Sequence, residues 1–368
     1  MVFVIVFVAF LDNMMQQPLI SPMAQSLGAQ GLFAGAIYGA YSLANIVGNT
    51  LTPSLVARFQ LKKTLVGAML VVGAALFMYT LLRTPQQMLA LRVIHGIGGG
   101  VVVPCIFTHV SFGQRYGIGM SKVGRVIGLT AVLGPASAGL LSARFGYGSP
   151  FMIVGFLFLA AILMVLRLPD RREALDTLGS LAMVWHQDGL RVAYASAFSL
   201  MFSMGMLGFW FPLQMASSGF GSHHIGSGFL VFGVAAIAVM RLGAVRSMTV
   251  PMAVLMAGFT CVFAGMALLS WVNALPIIYL ALASFGIGFG LVFPAMNILV
   301  VKETNAQERA SGFAVFHGFF SLAVFSAALV GGLVHQWVHP FHVVLLVLVA
   351  ASLVFGRVGF RWVSRTVS

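Results

Sequence analysis

The chain has 368 residues, of which 60% are hydrophobic and only 7% are charged, whereas an ordinary soluble domain carries roughly 25% charged residues. This composition excludes a water-soluble globular protein and indicates a protein that is solvated by lipid. The formal net charge of +13 does not indicate a nucleic-acid-binding face, because the basic residues are dispersed between apolar runs and form no single stripe.

Apolar runs of about 20 residues, enough to cross the ~30 Å hydrocarbon core as a helix, recur along the whole chain. The predicted spans of the first half are 1–22, 31–56, 64–82, 86–110, 122–143 and 149–168. Those of the second half are 192–216, 224–245, 249–271, 275–301, 308–334 and 339–359. The first run, MVFVIVFVAF, has no basic residues before it and is followed by further spans, so we interpret it as a transmembrane helix and not as a signal peptide.

Segment 169–191 separates the two sets of spans and holds four of the seven acidic residues together with several basic ones. It predicts a central cytoplasmic loop. The sequence therefore predicts an all-α membrane protein with twelve transmembrane helices in two similar six-helix bundles, residues 1–168 and residues 192–368.

Basic residues are distributed unequally over the connecting segments. Seventeen Lys and Arg residues follow the even-numbered spans, the other loops carry only Arg83 and Arg144, and Arg92 lies within a span. Because cytoplasmic loops carry the excess of Lys and Arg, both termini are predicted to be cytoplasmic. The expected location is the plasma membrane, which would be the cytoplasmic membrane in a bacterium.

Three groups of residues recur in the same order in the two halves. The segment GIGGGVVVP at Gly96–Pro104 matches GIGFGLVFP at Gly286–Pro294, a shift of 190. The other matches are Arg125, Gly128 and Gly134 with Arg309, Gly312 and Gly318, and Arg58 and Lys63 with Arg241 and Arg246. Chance would explain one such match but hardly three with consistent shifts, so the pattern indicates an internal duplication.

Asp12 is the only acidic residue in the interior of a predicted span, and it lies ~18 Å from the cytoplasmic end of that span at 1.5 Å per residue. An ionisable group at this depth by default indicates an ion or substrate site. Arg92 lies ~9 Å into the fourth span from the other face, at a similar level, so the two could pair. His95 shares the helix face of Arg92 and could titrate near neutral pH. The alternatives are a structural charge pair, a snorkelling Arg92 and a neutral, hydrogen-bonded His95.

A mixture of polar and aromatic side chains in the spans could line an adaptable substrate cavity, although such stripes more often serve helix packing. The cavity candidates are Gln16, Gln17, Tyr38, Tyr41, Asn45, Phe202, Trp210, Asn297 and His317. Cys105 and Cys261 lie in apolar segments without partners at metal-ligand spacing, so neither a metal site nor a cofactor is expected.

Twelve spans, a central loop and two similar halves resemble the major facilitator superfamily over essentially the whole chain. The resemblance implies the fold of that family and a transport function. Arg92 followed by Gly96 is similar to a motif in the fourth span of its proton-coupled exporters, which implies a part for Arg92 in proton transfer. The run GLTAVLGPASAG at Gly128–Gly139 resembles the antiporter motif of its drug:proton antiporter branch, and therefore favours export.

Two segments are expected to act in gating. In the fifth span, Gly128, Gly134 and Gly139 present a small-residue face and Pro135 allows a kink. In the loop after the second span, the basic residues resemble the gating signature of the family in part; they are Arg58, Lys62 and Lys63. Pro53, Ala57 and Gln60 stand where the signature has Gly, Asp and Gly, so its acidic partner is missing.

The expected function is secondary active transport by alternating access, with export of a small amphipathic or hydrophobic molecule against proton entry by a monomer. Asp12 would accept the proton and Arg92 would be its charge partner. The main alternative is an uptake permease or facilitator of the same fold without proton antiport. A membrane enzyme or receptor is poorly supported, because the sequence has no P-loop, H-E-x-x-H or G-x-S-x-G motif.

Overall fold

The computed structural model describes residues 2–113, 116–168, 188–241, 251–272, 274–304 and 309–367, and all regular secondary structure in these ranges is helical. The helices are α1 (Val2–Met15), α2 (Ile20–Ser26), α3 (Gly31–Phe59), α4 (Leu61–Met78), α5 (Pro85–Gly113), α6 (Tyr116–Phe145), α7 (Gly148–Leu166), α8 (Asp188–Ser217), α9 (Ser222–Arg241), α10 (Pro251–Trp271), α11 (Leu275–Glu303), α12 (Arg309–Val334) and α13 (Pro340–Val367). One 3-10 turn, Tyr79–Leu81, follows α4.

The all-α class expected from the sequence is confirmed. Within the described residues, ten helices are long and apolar enough to cross a membrane, and the bent pair of α1 and α2 would add one more. The described apolar part of α13, Pro340–Leu353, is a shorter helix. The number of twelve spans and their grouping in two six-helix bundles stay predictions.

The first predicted span, 1–22, is not one continuous helix. Helix α1 ends at Met15, and α2 continues from Ile20 at an angle of 50°. Pro18 is the physical reason, since it has no N–H to donate and its ring would collide with the carbonyl of Met14 four residues earlier. The interruption is bridged by the backbone N–H groups of Leu19 and Ile20, which both donate to the carbonyl of Gln16 at 3.1 Å.

The helices group into two compact units. Unit 1 comprises Met1–Thr177 and Gly208–Leu230, and unit 2 comprises Leu178–Leu207 and Val231–Ser368. Helices α8 and α9 therefore contribute residues to both units. The predicted loop 169–191 falls outside the described residues except for the beginning of α8, and the predicted boundaries of the two halves stay predictions.

The repeated glycine segments pack in corresponding ways. In unit 1, a Cβ atom on Gly96 would lie 2.5 Å from the carbonyl oxygen of Tyr41 on α3, and one on Gly98 would lie 2.9 Å from Val72 on α4. In unit 2, Gly286 meets the carbonyl of Phe232 on α9 in the same manner, and a Cβ on Gly288 would lie 2.5 Å from the carbonyl oxygen of Gly258 on α10. Helices α5 and α11 thus use matching glycines to approach two neighbours closely, which supports the duplication read from the sequence.

Replacing Gly48 on α3 by Ala tests this packing, because its methyl group would overlap the backbone carbonyl of Ile97 on α5. We expect Gly48→Ala to destabilise the protein by about 2 kcal/mol, since two helix backbones must separate to admit it. Gly67→Ala on α4 is the matched control, because no atom lies within 4 Å of the added methyl group. Thermal unfolding of the detergent-purified proteins measures both, and equal melting temperatures would show that the α3–α5 contact tolerates a wider spacing.

Candidate functional site

Two polar side chains near the interruption of the first span are buried inside unit 1. Asp12 lies in the last turn of α1 and Gln16 is the first residue after this helix, so the two are four residues apart on one face. Both are buried, with 3% of Asp12 and 5% of Gln16 exposed. A carboxylate so far from water requires partners, because burial of an unpaired charge is costly.

Each carboxylate oxygen of Asp12 has one partner. His95 on α5 places its Nε2 atom 2.9 Å from Oδ2, and this imidazole is fully buried. Gln16 donates from Nε2 to Oδ1 at 2.9 Å and also to the backbone carbonyl of Asp12 at 3.2 Å. Asp12 and His95 therefore form a direct acid–imidazole pair.

Arg92 lies one turn before His95 on α5 and is 4% exposed. It donates from Nε to the carbonyl of Ile37 at 3.2 Å and from a terminal nitrogen to the carbonyl of Tyr38 at 2.8 Å. Its other terminal nitrogen donates to Oε1 of Gln16. The planar guanidinium thus connects α5 with α3 and with the interruption after α1, which a flexible ammonium group would do less well.

The sequence placed Asp12 and Arg92 at a similar depth and suggested a direct pair. In the described structure Arg92 reaches Asp12 through Gln16, and the direct partner of the carboxylate is His95. The two charged groups are therefore not in direct contact, because the backbone carbonyls of α3 hold the guanidinium and the amide of Gln16 fills the space between the two charges. The part of Asp12, Arg92 and His95 in proton coupling stays a prediction.

Aromatic rings enclose the imidazole and the guanidinium. The Tyr41 ring lies 4.8 Å from the guanidinium carbon of Arg92 and meets the imidazole of His95 edge-on at 5.1 Å. Tyr79 places its hydroxyl 3.4 Å from Nδ1 of His95 and stacks on Phe151 of α7. A cation–π contact stabilises the buried charge of Arg92, and the Tyr79 hydroxyl gives the second ring nitrogen of His95 a partner.

A small cavity of about 20 Å³ lies beside Asp12. Its polar boundary is formed by Asp12, Asn13 and Tyr41, and the rest of its wall is apolar. This volume is sufficient for a single water molecule, which requires two or more polar partners of the kind found here. The carboxylate is therefore next to a space that a water molecule can enter, although its side chain is buried.

The formal charges of Asp12, His95 and Arg92, called the charge cluster below, show how the site would respond to an added proton. With Arg92 protonated, Asp12 ionised and His95 neutral, the formal charges cancel. One added proton, whether on Asp12 or on His95, leaves a net positive charge in a buried place, which is unfavourable in a low-dielectric environment. Protonation of Asp12 or His95 would therefore raise the free energy of this buried arrangement relative to that of an arrangement in which the cluster is exposed to water.

Several predicted cavity residues belong to unit 1. Tyr38 donates from its hydroxyl to Oε1 of Gln17 at 2.6 Å, and its ring meets Phe209 of α8 at 5.8 Å. Asn45 accepts a hydrogen bond from Asn49 at 3.0 Å, and the half-buried Trp210 lies beside Phe209. Gln16 and Tyr41, also predicted as cavity residues, belong to the charge network described above.

The remaining cavity candidates belong to unit 2. Phe202 is buried and stacks on Phe198, and Asn297 donates to the carbonyl of Phe293 at 2.7 Å. His317 is an exposed side chain that lies among phenylalanine rings of α12, with Phe316 at 5.5 Å. A single cavity shared by all nine predicted residues stays a prediction.

The small residues predicted to gate the fifth span lie on α6 and make two close contacts within unit 1. A Cβ atom on Gly134 would lie 2.8 Å from Met14 on α1, and one on Gly139 would lie 2.7 Å from the Cα atom of Gly226 on α9. Pro135 lies inside α6 without ending it, and Gly128 is half-buried on the same helix. The glycines therefore allow close approach of α1 and α9 to α6.

The basic residues of the predicted gating loop lie at the junction of α3 and α4. Lys62 donates to the carbonyl of Leu168, just past the end of α7, at 2.9 Å, whereas Arg58 and Lys63 are exposed. Gln60, which stands where the family signature has Gly, has a φ of +70° and a ψ of 154°. That conformation is nearly exclusive to glycine, so the turn keeps the geometry that the replaced residue would favour and holds backbone strain.

Sequence reasoning missed the bridging role of Gln16 and the contact of Tyr79. The spacing of Asp12 and Gln16 is a helical i, i+4 pair, so their interaction was available from the sequence. Tyr79 lies in the 3-10 turn after α4, and its proximity to His95 depends on packing that no sequence pattern indicates. Among the described residues, no group of three or more His, Cys, Asp or Glu side chains is arranged to hold a metal ion.

Long apolar helices, an interrupted first span and buried ionisable groups at the interruption define a helical membrane transporter. Residues 2–328 match the Major Facilitator Superfamily, and the chain belongs to this superfamily. An uncharacterized MFS-type transporter of Methanocaldococcus jannaschii is 30% identical over 157 residues, which are 42% of this chain and 41% of that relative. The predictions of a major facilitator transporter, and not an enzyme, are thereby confirmed.

The fold is shared with a solved member of the superfamily. The crystal structure of the human organic anion transporter MFSD10 (TETRAN) superposes with a TM-score of 0.71, covering 97% of each chain at 17% identity. At this identity the likeness establishes the fold alone. The transporter class and the multi-pass membrane location rest on the family match, and the branch of the superfamily is part of the proposal below.

Replacing Arg92 by Lys tests whether the guanidinium holds α5 to its neighbours. We expect Arg92→Lys to destabilise the protein by about 2 kcal/mol, because one ammonium group cannot reproduce three hydrogen bonds in a fixed plane. Arg83→Lys is the matched control, since Arg83 is exposed. Thermal unfolding in detergent is the measurement. A melting temperature for Arg92→Lys equal to that of Arg83→Lys would contradict this role.

Proposed function

We propose that this transporter is a proton-coupled secondary antiporter that exports a small amphipathic or hydrophobic molecule. The observation that carries the proposal is the buried Asp12–His95 pair, 2.9 Å apart, beside the guanidinium of Arg92 and a water-sized cavity. Ionisable groups deep in a span and at a helix interruption are the usual site of ion coupling in transporters.

The coupling follows from the charge count of the cluster. In the resting arrangement the charges of Asp12 and Arg92 cancel, and the buried state is favoured. A proton taken up by Asp12 or His95 leaves the cluster with a net positive charge, which favours a conformation in which water or another charge compensates it. Release of that proton on the opposite side of the membrane returns the cluster to its buried form, so a proton gradient drives the cycle in one direction.

Export is favoured by the resemblance of Gly128–Gly139 on α6 to the antiporter motif of drug exporters. Gly139 approaches Gly226 of α9 so closely that neither position admits a side chain without displacement. We assign this contact to a gate that separates when the substrate pathway opens at the end of the spans near Gly139. Rocking of the two six-helix halves about a midplane cavity would alternate access, with Gln17, Tyr38 and Trp210 contributing to the cavity wall. The transporter acts as a monomer in this proposal.

Asp12→Asn tests the proposed coupling. In proteoliposomes with an imposed pH gradient, we expect the native protein to move a fluorescent amphipathic dye against proton flow, and Asp12→Asn to abolish the response because the amide cannot take up a proton. The dyes should include cationic and anionic compounds, since the fold relative MFSD10 is an organic anion transporter. Asp170→Asn, in the predicted central loop, is the control that should retain coupling.

Two outcomes of this assay would count against the proposal. Gradient-driven transport that persists in Asp12→Asn would remove Asp12 from the coupling mechanism. Dye movement by the native protein that ignores the gradient would favour a facilitator or uptake permease of the same fold.

The orientation of the chain in the plasma membrane is a further part of the proposal. The unequal distribution of Lys and Arg supports cytoplasmic termini and a cytoplasmic α3–α4 junction. In a background with Cys105 and Cys261 replaced by Ala, we expect a membrane-impermeant maleimide added to intact cells to label Arg83→Cys and not Lys63→Cys. Both positions are exposed, so access to reagent alone decides the result. Labelling of Lys63→Cys alone would reverse the orientation.

A further inference from the structure

We infer that Gln16 is a positioning residue that directs the exchanged proton to Oδ2 of Asp12, the oxygen that faces His95. The inference rests on the proposed proton coupling and assigns to Gln16 a task within it. The sequence suggested Gln16 only as a cavity residue, whereas the structure places its amide between the carboxylate of Asp12 and the guanidinium of Arg92.

The orientation of the Gln16 amide is set by chemistry. The guanidinium of Arg92 has donors and no acceptor, so it must face Oε1 of Gln16, and the amide nitrogen then faces Asp12. The reversed amide would place N–H against N–H on one side and oxygen against carboxylate oxygen on the other. Arg92 thereby fixes which end of Gln16 meets the acid.

The fixed amide makes the two oxygens of Asp12 unequal. Oδ1 accepts an N–H from Gln16 at 2.9 Å, so a proton on that oxygen would oppose a donor. Oδ2 faces Nε2 of His95 at 2.9 Å, and either group can hold the shared proton while the other accepts. When the pair has taken up the proton, Nδ1 of His95 carries an N–H that donates to the Tyr79 hydroxyl, whether the shared proton lies on Oδ2 or on Nε2; when the pair has released it, Nδ1 accepts from that hydroxyl, which can either donate or accept.

Arg92 does not depend on Gln16 for its position. The carbonyls of Ile37 and Tyr38 on α3 accept two of its donors, and the Tyr41 ring lies 4.8 Å from its guanidinium carbon. Removal of the amide is therefore expected to leave the guanidinium in place. The change then falls on Asp12, which loses the N–H that favours its ionised form.

The other ionisable groups around Asp12 are few. Helix α5 contributes Arg92 and His95, α3 contributes Tyr38 and Tyr41, and the turn after α4 contributes Tyr79. Helix α7 has no ionisable side chain between Gly148 and Leu166, and α2 has none. The described ionisable side chains of α6, Arg125 and Arg144, are exposed toward its two ends. A substitution of Gln16 removes none of these ionisable groups, and among them only Arg92 loses a hydrogen bond with it.

The test is a pH titration of the carboxylic acid C=O band by infrared difference spectroscopy on the full chain in lipid nanodiscs. The titration needs no substrate. Asp12→Asn identifies the band of Asp12. We expect Gln16→Met, an apolar replacement of similar length, to shift the midpoint of this band by roughly one pH unit to higher pH, because the ionised form loses a hydrogen bond. The band should also move to higher frequency, since the C=O group of the protonated acid loses its donor.

Two further variants keep the result interpretable. Gln17→Met is the matched control, because Gln17 bonds the Tyr38 hydroxyl and should leave the Asp12 band unchanged. Gln16→Glu covers the case in which Gln16→Met does not fold. Its ionised carboxylate can accept hydrogen bonds from Arg92 but donates none to Asp12. The midpoint of the Asp12 band should therefore rise in this variant as well. The band of Asp12 in that variant is isolated by comparison with an Asp12→Asn, Gln16→Glu double variant.

The outcomes distinguish the proposed proton coupling through Asp12 from the proposed role of Gln16. If the native band survives in Asp12→Asn, Asp12 does not titrate and the proposed coupling fails. If the band belongs to Asp12 but its midpoint and frequency are the same in the native protein and the folded Gln16 variant, the coupling stands and the role of Gln16 is overturned. A shift in both Gln16 variants, with none in Gln17→Met, establishes the role.

Discussion

The arrangement of unit 1 depends on how one guanidinium is accommodated away from water. Arg92 is 4% exposed and cannot lose its charge, so every neighbour must either accept a hydrogen bond from it or present the face of a ring. The carbonyls of Ile37 and Tyr38 and the ring of Tyr41 meet this requirement from α3. Once these contacts are made, the register of α5 against α3 is fixed, and with it the position of His95.

Gln16 connects this guanidinium with the opposing charge of Asp12. It is the first residue after α1, one turn beyond Asp12, and its side chain bonds both the carboxylate and the backbone carbonyl of Asp12. Backbone irregularity in a span is tolerated where protein partners replace the missing hydrogen bonds. Here Gln16 does both: its carbonyl accepts the N–H groups of Leu19 and Ile20 at the interruption, and its side chain belongs to the charge network.

Much of this fold can be predicted from the sequence, because hydropathy and the glycine repeat are dictated by lipid and by helix contact. The spans agree with the helices to within a few residues at most ends, and the matching segments that contain Gly96 and Gly286 make equivalent close contacts in the structure. The helix interruption was also within reach, since Pro18 cannot continue a regular helix. Depth along a helix likewise brought Asp12, Arg92 and His95 to one level. Depth alone does not determine which of these side chains are in contact, because contact also depends on the rotation of each helix about its axis and on the bridging amide of Gln16.

The neutral amide of Gln16 keeps the carboxylate of Asp12 and the guanidinium of Arg92 apart, which matters for the proposed proton coupling. A direct Asp12–Arg92 ion pair would strongly favour the ionised carboxylate and oppose its protonation. Separation by Gln16 weakens this attraction, and the adjacent imidazole of His95 offers the proton a second site 2.9 Å away. In the proposed coupling, the cluster keeps its buried cation while one proton enters or leaves. Proton exchange then requires neither the loss of Arg92 from its carbonyl partners nor a rearrangement of α3 against α5, so the helix framework can stay rigid while the charge of the site changes.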